Sequence, residues 1–268
     1  MQARFRFYAE LNDFLPPEKR LIAFDLPFQG RQTVKHLIES LGVPHTEVDL
    51  VLVNGESVDF ARILEDGDQV SVYPVFEAFD IAPASRVRAH PLRQTRFVLD
   101  THLGRLAGYL RMLGFDTLYR NDSTDEQLAR TSSEEHRILL TRDRGLLKRS
   151  TVTHGYYIRE VSPRRQLAEV VCRFDLAGSA KPFTRCLVCN EILREVPKEA
   201  VASRMPPLSR AHYHRIRECP GCRRVYWDGS HYRRMQRLVE EVTGLNQRLG
   251  GDDPGAPGPQ PHRSVPPE

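Results

Sequence analysis

The chain has no run of about eighteen apolar residues, and its start, Met1-Gln-Ala-Arg-Phe-Arg-Phe7, has none of the long apolar stretch of a secretory signal. A soluble, cytoplasmic protein with no membrane partner is the expectation. Cysteine is sparse: five in 268 residues, four of them in two C-x-x-C pairs. Thiols so few and so spaced suit a reducing compartment and a metal site better than a disulfide framework. The fifth, Cys172, falls on an apolar stripe and reads as core. Lysine is scarce, 5 against 34 arginines. Genome composition alone can produce that bias, so it excludes nothing.

Charge is divided unevenly. Residues 1–80 hold 7 Lys+Arg against 14 Asp+Glu, and subtraction from 39 and 35 leaves 32 against 21 for residues 81–268. An acidic front thus precedes a basic body, and a basic body suits a polyanion, since neutralising phosphates releases counterions.

Residues 3–9 alternate polar and apolar, Leu21 to Leu26 resumes strand character, and Thr33 to Leu41 has helical spacing at Val34, Leu37, Ile38 and Leu41. Val48 to Val53, an Asn54-Gly55 turn and Asp68 to Pro74 follow, giving β-β-α-β-β. With Leu-Val-Asn-Gly and Leu64-Glu-Asp-Gly-Asp-Gln-Val, this order resembles the ubiquitin-like β-grasp sulfur carriers. Those carriers end in an exposed Gly-Gly, whereas this strand runs on into Val75-Phe-Glu-Ala-Phe. A docking or regulatory module with a protein partner is therefore expected over 1–80, then a linker over 81–95 rich in Pro, Arg and His.

From Arg96 strands alternate with helices, which predicts a parallel sheet in an α/β domain over 96–178. Two strand-like runs end on aspartates, Arg96-Phe-Val-Leu-Asp100 and Arg137-Ile-Leu-Leu-Thr-Arg-Asp143. Beyond the carboxyl ends of such strands lies the ligand crevice, and two carboxylates brought together call for a shared cation. Oxygen ligands suit Mg²⁺ or Mn²⁺, and a cation so held serves phosphodiester cleavage. Asp125, in the first turn of the helix capped by Ser123 or Thr124, is a third candidate; Asp122 and Glu126 are reserves. Each acid also suits a plain helix cap or a favourable dipole position. Arg142 and Arg144, with Arg105, are candidate substrate contacts because guanidinium forks match phosphate oxygens, although solvated arginines fit equally.

Cys186-Leu-Val-Cys189 and Cys219-Pro-Gly-Cys222 make four thiolates in two knuckles, the donor set of a closed, structural Zn²⁺ site over 179–236. His212, His214 and His231 read as solvated or core. Tyr226 and Trp227 beside Arg223 and Arg224 suit either base stacking or packing beneath the knuckle. A helix over 237–249 and a disordered tail over 250–268 are expected.

Phe97-Val-Leu-Asp-Thr-His-Leu-Gly-Arg-Leu-Ala-Gly-Tyr-Leu-Arg-Met-Leu-Gly-Phe-Asp116, the Arg137 to Arg144 run, the cysteine pairs and Tyr226-Trp-Asp-Gly-Ser-His231 together resemble the Mut-seven carboxy-terminal RNase family, across about residues 96–236. The resemblance implies a PIN-like, Mg²⁺- or Mn²⁺-dependent ribonuclease with Asp100, Asp125 and Asp143 at acidic positions of its motif; RNA is the expected partner, with tRNA or another structured RNA as candidates. A non-catalytic RNA-binding or ribosome-associated protein is the alternative. Sulfur transfer is disfavoured by the missing Gly-Gly end.

Overall fold

The computed structural model describes residues 1–74, 87, 95–213 and 215–249, without the side chains of 211, 212, 230 and 245–249. Apart from Val87 and Thr95, the expected linker lies outside the described residues, as does the expected tail. Strands β1 (Gln2–Phe7), β2 (Ala23–Pro27), β3 (Val48–Val53), β4 (Glu56–Ser57) and β5 (Gln69–Pro74) form one sheet of order β2-β1-β5-β3-β4, with helix α1 (Val34–Ser40) in the chain between β2 and β3. Parallel pairing of β1 with β5 at its centre, and antiparallel pairing elsewhere, gives the expected β-grasp-like sheet. Alternation in β1 sends Ala3, Phe5 and Phe7 into a core completed by Val34, Ile38 and Val72.

A second sheet contains β6 (Arg96–Leu99), β7 (Asp116–Tyr119), β8 (Ile138–Thr141) and β9 (Gly155–Tyr157), all parallel, in the order β7-β6-β8-β9. Helices α2 (Gly104–Met112), α3 (Asp125–Glu134), α4 (Arg144–Leu147) and α5 (Pro163–Arg173) alternate with the strands. Phe97, Leu99 and Leu140 face α2 and α5, whereas Val98 and Leu139 face α3 and α4. Both faces are therefore covered, and near-continuous apolar strands are what such a sheet requires. Thr124 caps α3 in a full capping box with Gln127. Cys172 is exposed rather than core. It follows Val170 and Val171 on α5, and one further residue turns the side chain away from the buried stripe.

After α5 the chain leaves this core to build β10 (Arg194–Glu195), α6 (Lys198–Val201), α7 (Pro207–His212), β11 (Ile216–Glu218) and β12 (Val225–Trp227). It returns as α8 (Ser230–Leu249), so the terminal helix begins earlier than the expected 237. Leu238, Val239 and Val242 of α8 rejoin the core of the second sheet. The cysteine unit is thus inserted between two helices of one domain. Gly114, at φ +93°, makes its entry feasible: a Cβ there would stand 2.2 Å from the Lys181 carbonyl oxygen.

The acidic front docks on the basic body. Glu47, with a fully buried side chain, accepts the Tyr157 amide at 2.5 Å and faces Arg159 Nη2 at 3.4 Å. Arg159 also donates to Asp13 (3.1 Å), Arg173 to Glu10 (2.9 Å), and His45 Nε2 to the Val152 carbonyl (2.9 Å). Burial pushes the Glu47 carboxyl up, against the pull of Arg159 and the Tyr157 amide.

Candidate active site and cysteine cluster

Because β6 and β8 are adjacent and parallel, Asp100 and Asp143 stand on one carboxyl rim. The chain passes from β6 to β7 on one side and then to β8 on the other, so this rim is the topological switch point of the sheet. Thr141 ties the two acids together. Its hydroxyl donates to Asp100 Oδ2 at 2.6 Å and accepts the Asp143 amide at 2.9 Å. Asp100 Oδ1 accepts the Thr101 amide (2.5 Å), and Asp143 Oδ1 accepts that of Gly145 (2.6 Å). Both acids therefore cap helices, as the simpler expectation had it. Capping leaves lone pairs on each carboxylate, and among the described residues neither acid pairs with a basic side chain. Asp100 is only 8% exposed, where an uncompensated charge is costly.

The other expected site residues are less concentrated. Asp125 opens α3 beyond β7 and faces Arg149 at 3.8 Å; both are about half exposed. Asp122 is taken by a two-pronged pair with Arg120, and Glu126 is exposed. Arg142 donates to the carbonyls of Arg159 and Glu160. Arg144 donates to the Phe14 carbonyl, and its guanidinium lies over the Phe14 and Tyr157 rings at 4.9 and 5.3 Å. Both arginines flanking Asp143 thus hold protein, Arg144 at the domain junction. Arg105, exposed on α2, lines a cavity between α2 and α8.

The four cysteines converge: their sulfurs all lie within 4.8 Å of one another, the one such group of three or more candidate ligands among the described residues. Asp100, Asp125 and Asp143 are not drawn so close. Cys186 and Cys222 sulfurs are 3.5 Å apart, and those of Cys189 and Cys219 3.2 Å. Tetrahedral bonds of about 2.3 Å imply sulfur separations of about 3.8 Å, so the cluster fits a zinc-type ion with slight expansion. Burial works against the Cys186 thiolate, yet the Tyr226 hydroxyl at 3.1 Å and the Val188 and Cys189 amides outweigh it and bring the thiol to about 6. Burial pushes Cys219 up to about 12, with its sulfur neighbours adding to the rise. Held as thiolates, four sulfurs at this spacing would repel one another unless a cation lay among them. Tyr226 and Trp227 meet the packing expectation, Tyr226 against Cys186 and Trp227 against Val201, Met205 and Ile216. His231 is exposed, and the His212 side chain and His214 lie outside the described residues.

Sequence reasoning missed the joint between the cluster and the sheet. Asp116 accepts from Arg137 (2.7 Å) and from Asn190 (2.8 Å), while Asn190 Oδ1 accepts the Thr117 amide at 3.0 Å. Buried Arg111 donates to the Thr117, Leu187 and Val188 carbonyls. The only signals were a charge inside an apolar helix and an Asn after Cys189.

The structure combines a two-faced parallel sheet, a β-grasp-like sheet before it and a cysteine cluster consistent with a zinc ribbon, and the family match makes this a nuclease-type α/β protein. The chain belongs to the Mut7-C RNAse domain family, whose model matches residues 95–239; that of the Mut7-C ubiquitin domain matches residues 1–80. The crystal structure of SAMP1 from Haloferax volcanii is similar to 30% of this chain over 100% of its own, at 17% identity and a TM-score of 0.24. No curated protein matches the chain. No helix among the described residues is long and apolar enough to cross a membrane.

Proposed function

We propose that this protein is a cytoplasmic, metal-dependent ribonuclease that hydrolyses RNA phosphodiester bonds at the rim between β6 and β8. The observation that carries the reading is the Asp100–Thr141–Asp143 arrangement: one hydroxyl joins the Asp100 carboxylate to the Asp143 backbone amide on a single rim, and among the described residues no basic side chain neutralises either acid. Asp100 and Asp143 are the residues to hold Mg²⁺ or Mn²⁺, with Asp125 the outer ligand. When bound, such a cation polarises the phosphoryl oxygen and makes water acidic enough to attack. The Thr101, Thr141 and Gly145 contacts fix the acids before substrate arrives, which is the support such ligands need. Zn²⁺ on the four cysteines staples the ribbon, since four protein ligands leave no open position for catalysis.

Cleavage of labelled RNA with Mg²⁺ or Mn²⁺ tests this. Asp100→Asn and Asp143→Asn should each lower the rate at least about 100-fold; undiminished cleavage in both refutes the assignment. The capping role of both acids favours one other reading, a non-catalytic RNA-binding or ribosome-associated protein. RNA binding that survives chelation, with no hydrolysis under any divalent ion, would decide for it.

A further inference from the structure

We propose that the groove between α2 and α8, closed at one end by the cysteine knuckle, seats an unpaired stretch of the RNA next to the cleaved phosphate, so that the substrate is single-stranded there. This inference rests on the ribonuclease reading above. The groove is a cavity of about 280 Å³ whose floor is apolar: Tyr109 and Met112 from α2, Leu187 from the knuckle, Met235 and Leu238 from α8. Three arginines, Arg105, Arg164 and Arg234, surround it with His231, and no carboxylate lines it. Among the described residues none of those three guanidinium groups has a hydrogen-bond or ion-pair partner in the protein. Arg137, Arg159 and Arg173 are held by carboxylates of the fold, whereas these three gather around one apolar cleft that no carboxylate enters.

The position relates the groove to the acids. Arg105 lies in the first turn of α2, immediately after the short turn that Asp100 caps, and Arg164 lies in the first turn of α5, which follows β9. Both side chains therefore spring from the rim that holds Asp100 and Asp143. A second cavity, about 490 Å³, shares Leu187, His231 and Met235 with the first and extends along the knuckle past Trp227 and Arg224. Two of its arginines, Arg204 and Arg223, are held by Glu218 at 2.9 Å each, which leaves Arg224 as its outward charge.

An apolar floor with a cationic rim matches a nucleic-acid single strand, whose bases offer flat apolar faces and whose phosphates follow the guanidiniums. A duplex hides those faces in its stack, and its narrow major groove keeps side chains from the base edges. An acidic peptide would satisfy the arginines but not the floor.

The test uses the intact, zinc-loaded chain with no added Mg²⁺ or Mn²⁺, so that cleavage is not supported, and follows fluorescence anisotropy of a labelled 12-nucleotide RNA. Arg164→Glu/Arg234→Glu should weaken binding at least about tenfold and flatten the salt dependence by about two in log–log slope, whereas Arg130→Glu, on exposed α3 across the sheet, should not. The same RNA as a duplex should bind at least about tenfold more weakly, and polyglutamate should not compete. A 4-thiouridine in the strand should crosslink to peptides carrying Tyr109 or Met235, which guards against a variant that merely misfolds. Unchanged affinity in the double variant, equal binding of duplex, or crosslinks confined to α3 and α4 overturn the proposal. Failure of the ribonuclease reading would abolish cleavage and leave this binding in place; failure of the groove would leave Asp100-dependent cleavage and remove the strand preference.

Discussion

The Thr141 hydroxyl lies 2.6 Å from Oδ2 of Asp100 while receiving the Asp143 amide, so one oxygen fixes the spacing of two strand ends. Val has nearly the same shape and cannot make either bond. Thr141→Val is expected to destabilise the fold by about 1–3 kcal/mol, through the buried polar partners it strands, and to slow RNA hydrolysis about 10–100-fold. Denaturant melts and initial rates measure the two effects. A variant as fast as the parent would show that the hydroxyl does not position the acids.

Metal analysis should find one zinc per chain on the cysteine cluster. Removing it, by chelation or by Cys219→Ser, is expected to lower the melting temperature by roughly 5–10 °C, because ion binding is folding energy for such a unit. The Arg111 bonds to the Leu187 and Val188 carbonyls carry the disturbance into the sheet. An unchanged melting temperature after verified zinc loss would contradict a stapling role.

The junction of the two sheets depends on a buried ion pair. Glu47→Ala leaves Arg159 without its most buried partner and should cost about 3–5 kcal/mol, whereas Glu47→Gln, which still accepts the Tyr157 amide, should cost less. A double-mutant cycle with Arg159→Ala gives the coupling. Additive losses would mean that the two side chains meet without consequence.

Asp116 sets a pH dependence. Burial opposes its charge, but bonds from Arg137 and Asn190 outweigh that and hold the carboxyl below its ordinary 3.8. A depressed folded value contributes stability that is complete above 3.8 and is lost as pH falls through the lower folded value. The melting temperature of the native chain should therefore fall more steeply below about pH 4 than that of Asp116→Asn. Parallel curves would remove Asp116 from the joint.

Much of this was legible in sequence, for local reasons. Asp100 and Asp143 end apolar runs, and parallel pairing of consecutive units brings such ends to one rim whatever the side chains do next. C-x-x-C spacing is likewise local. Arg144 was not legible: its partner Phe14 is 130 residues away, and only docking of the acidic front decides that the guanidinium stacks there. Cys172 was misread because one position of helical phase separates it from the buried Val171. Thr141 carries a local signal of its kind, a polar residue that closes the apolar run Ile138-Leu-Leu and is nonetheless fully buried.

Crystals soaked in Mn²⁺ and measured at the manganese absorption edge show most plainly whether the β6–β8 rim holds a hard divalent cation. An anomalous peak should stand at the rim beside Asp100 and Asp143 and vanish in Asp100→Asn. Saturated crystals with a bare rim, or with manganese bound only elsewhere, would contradict it.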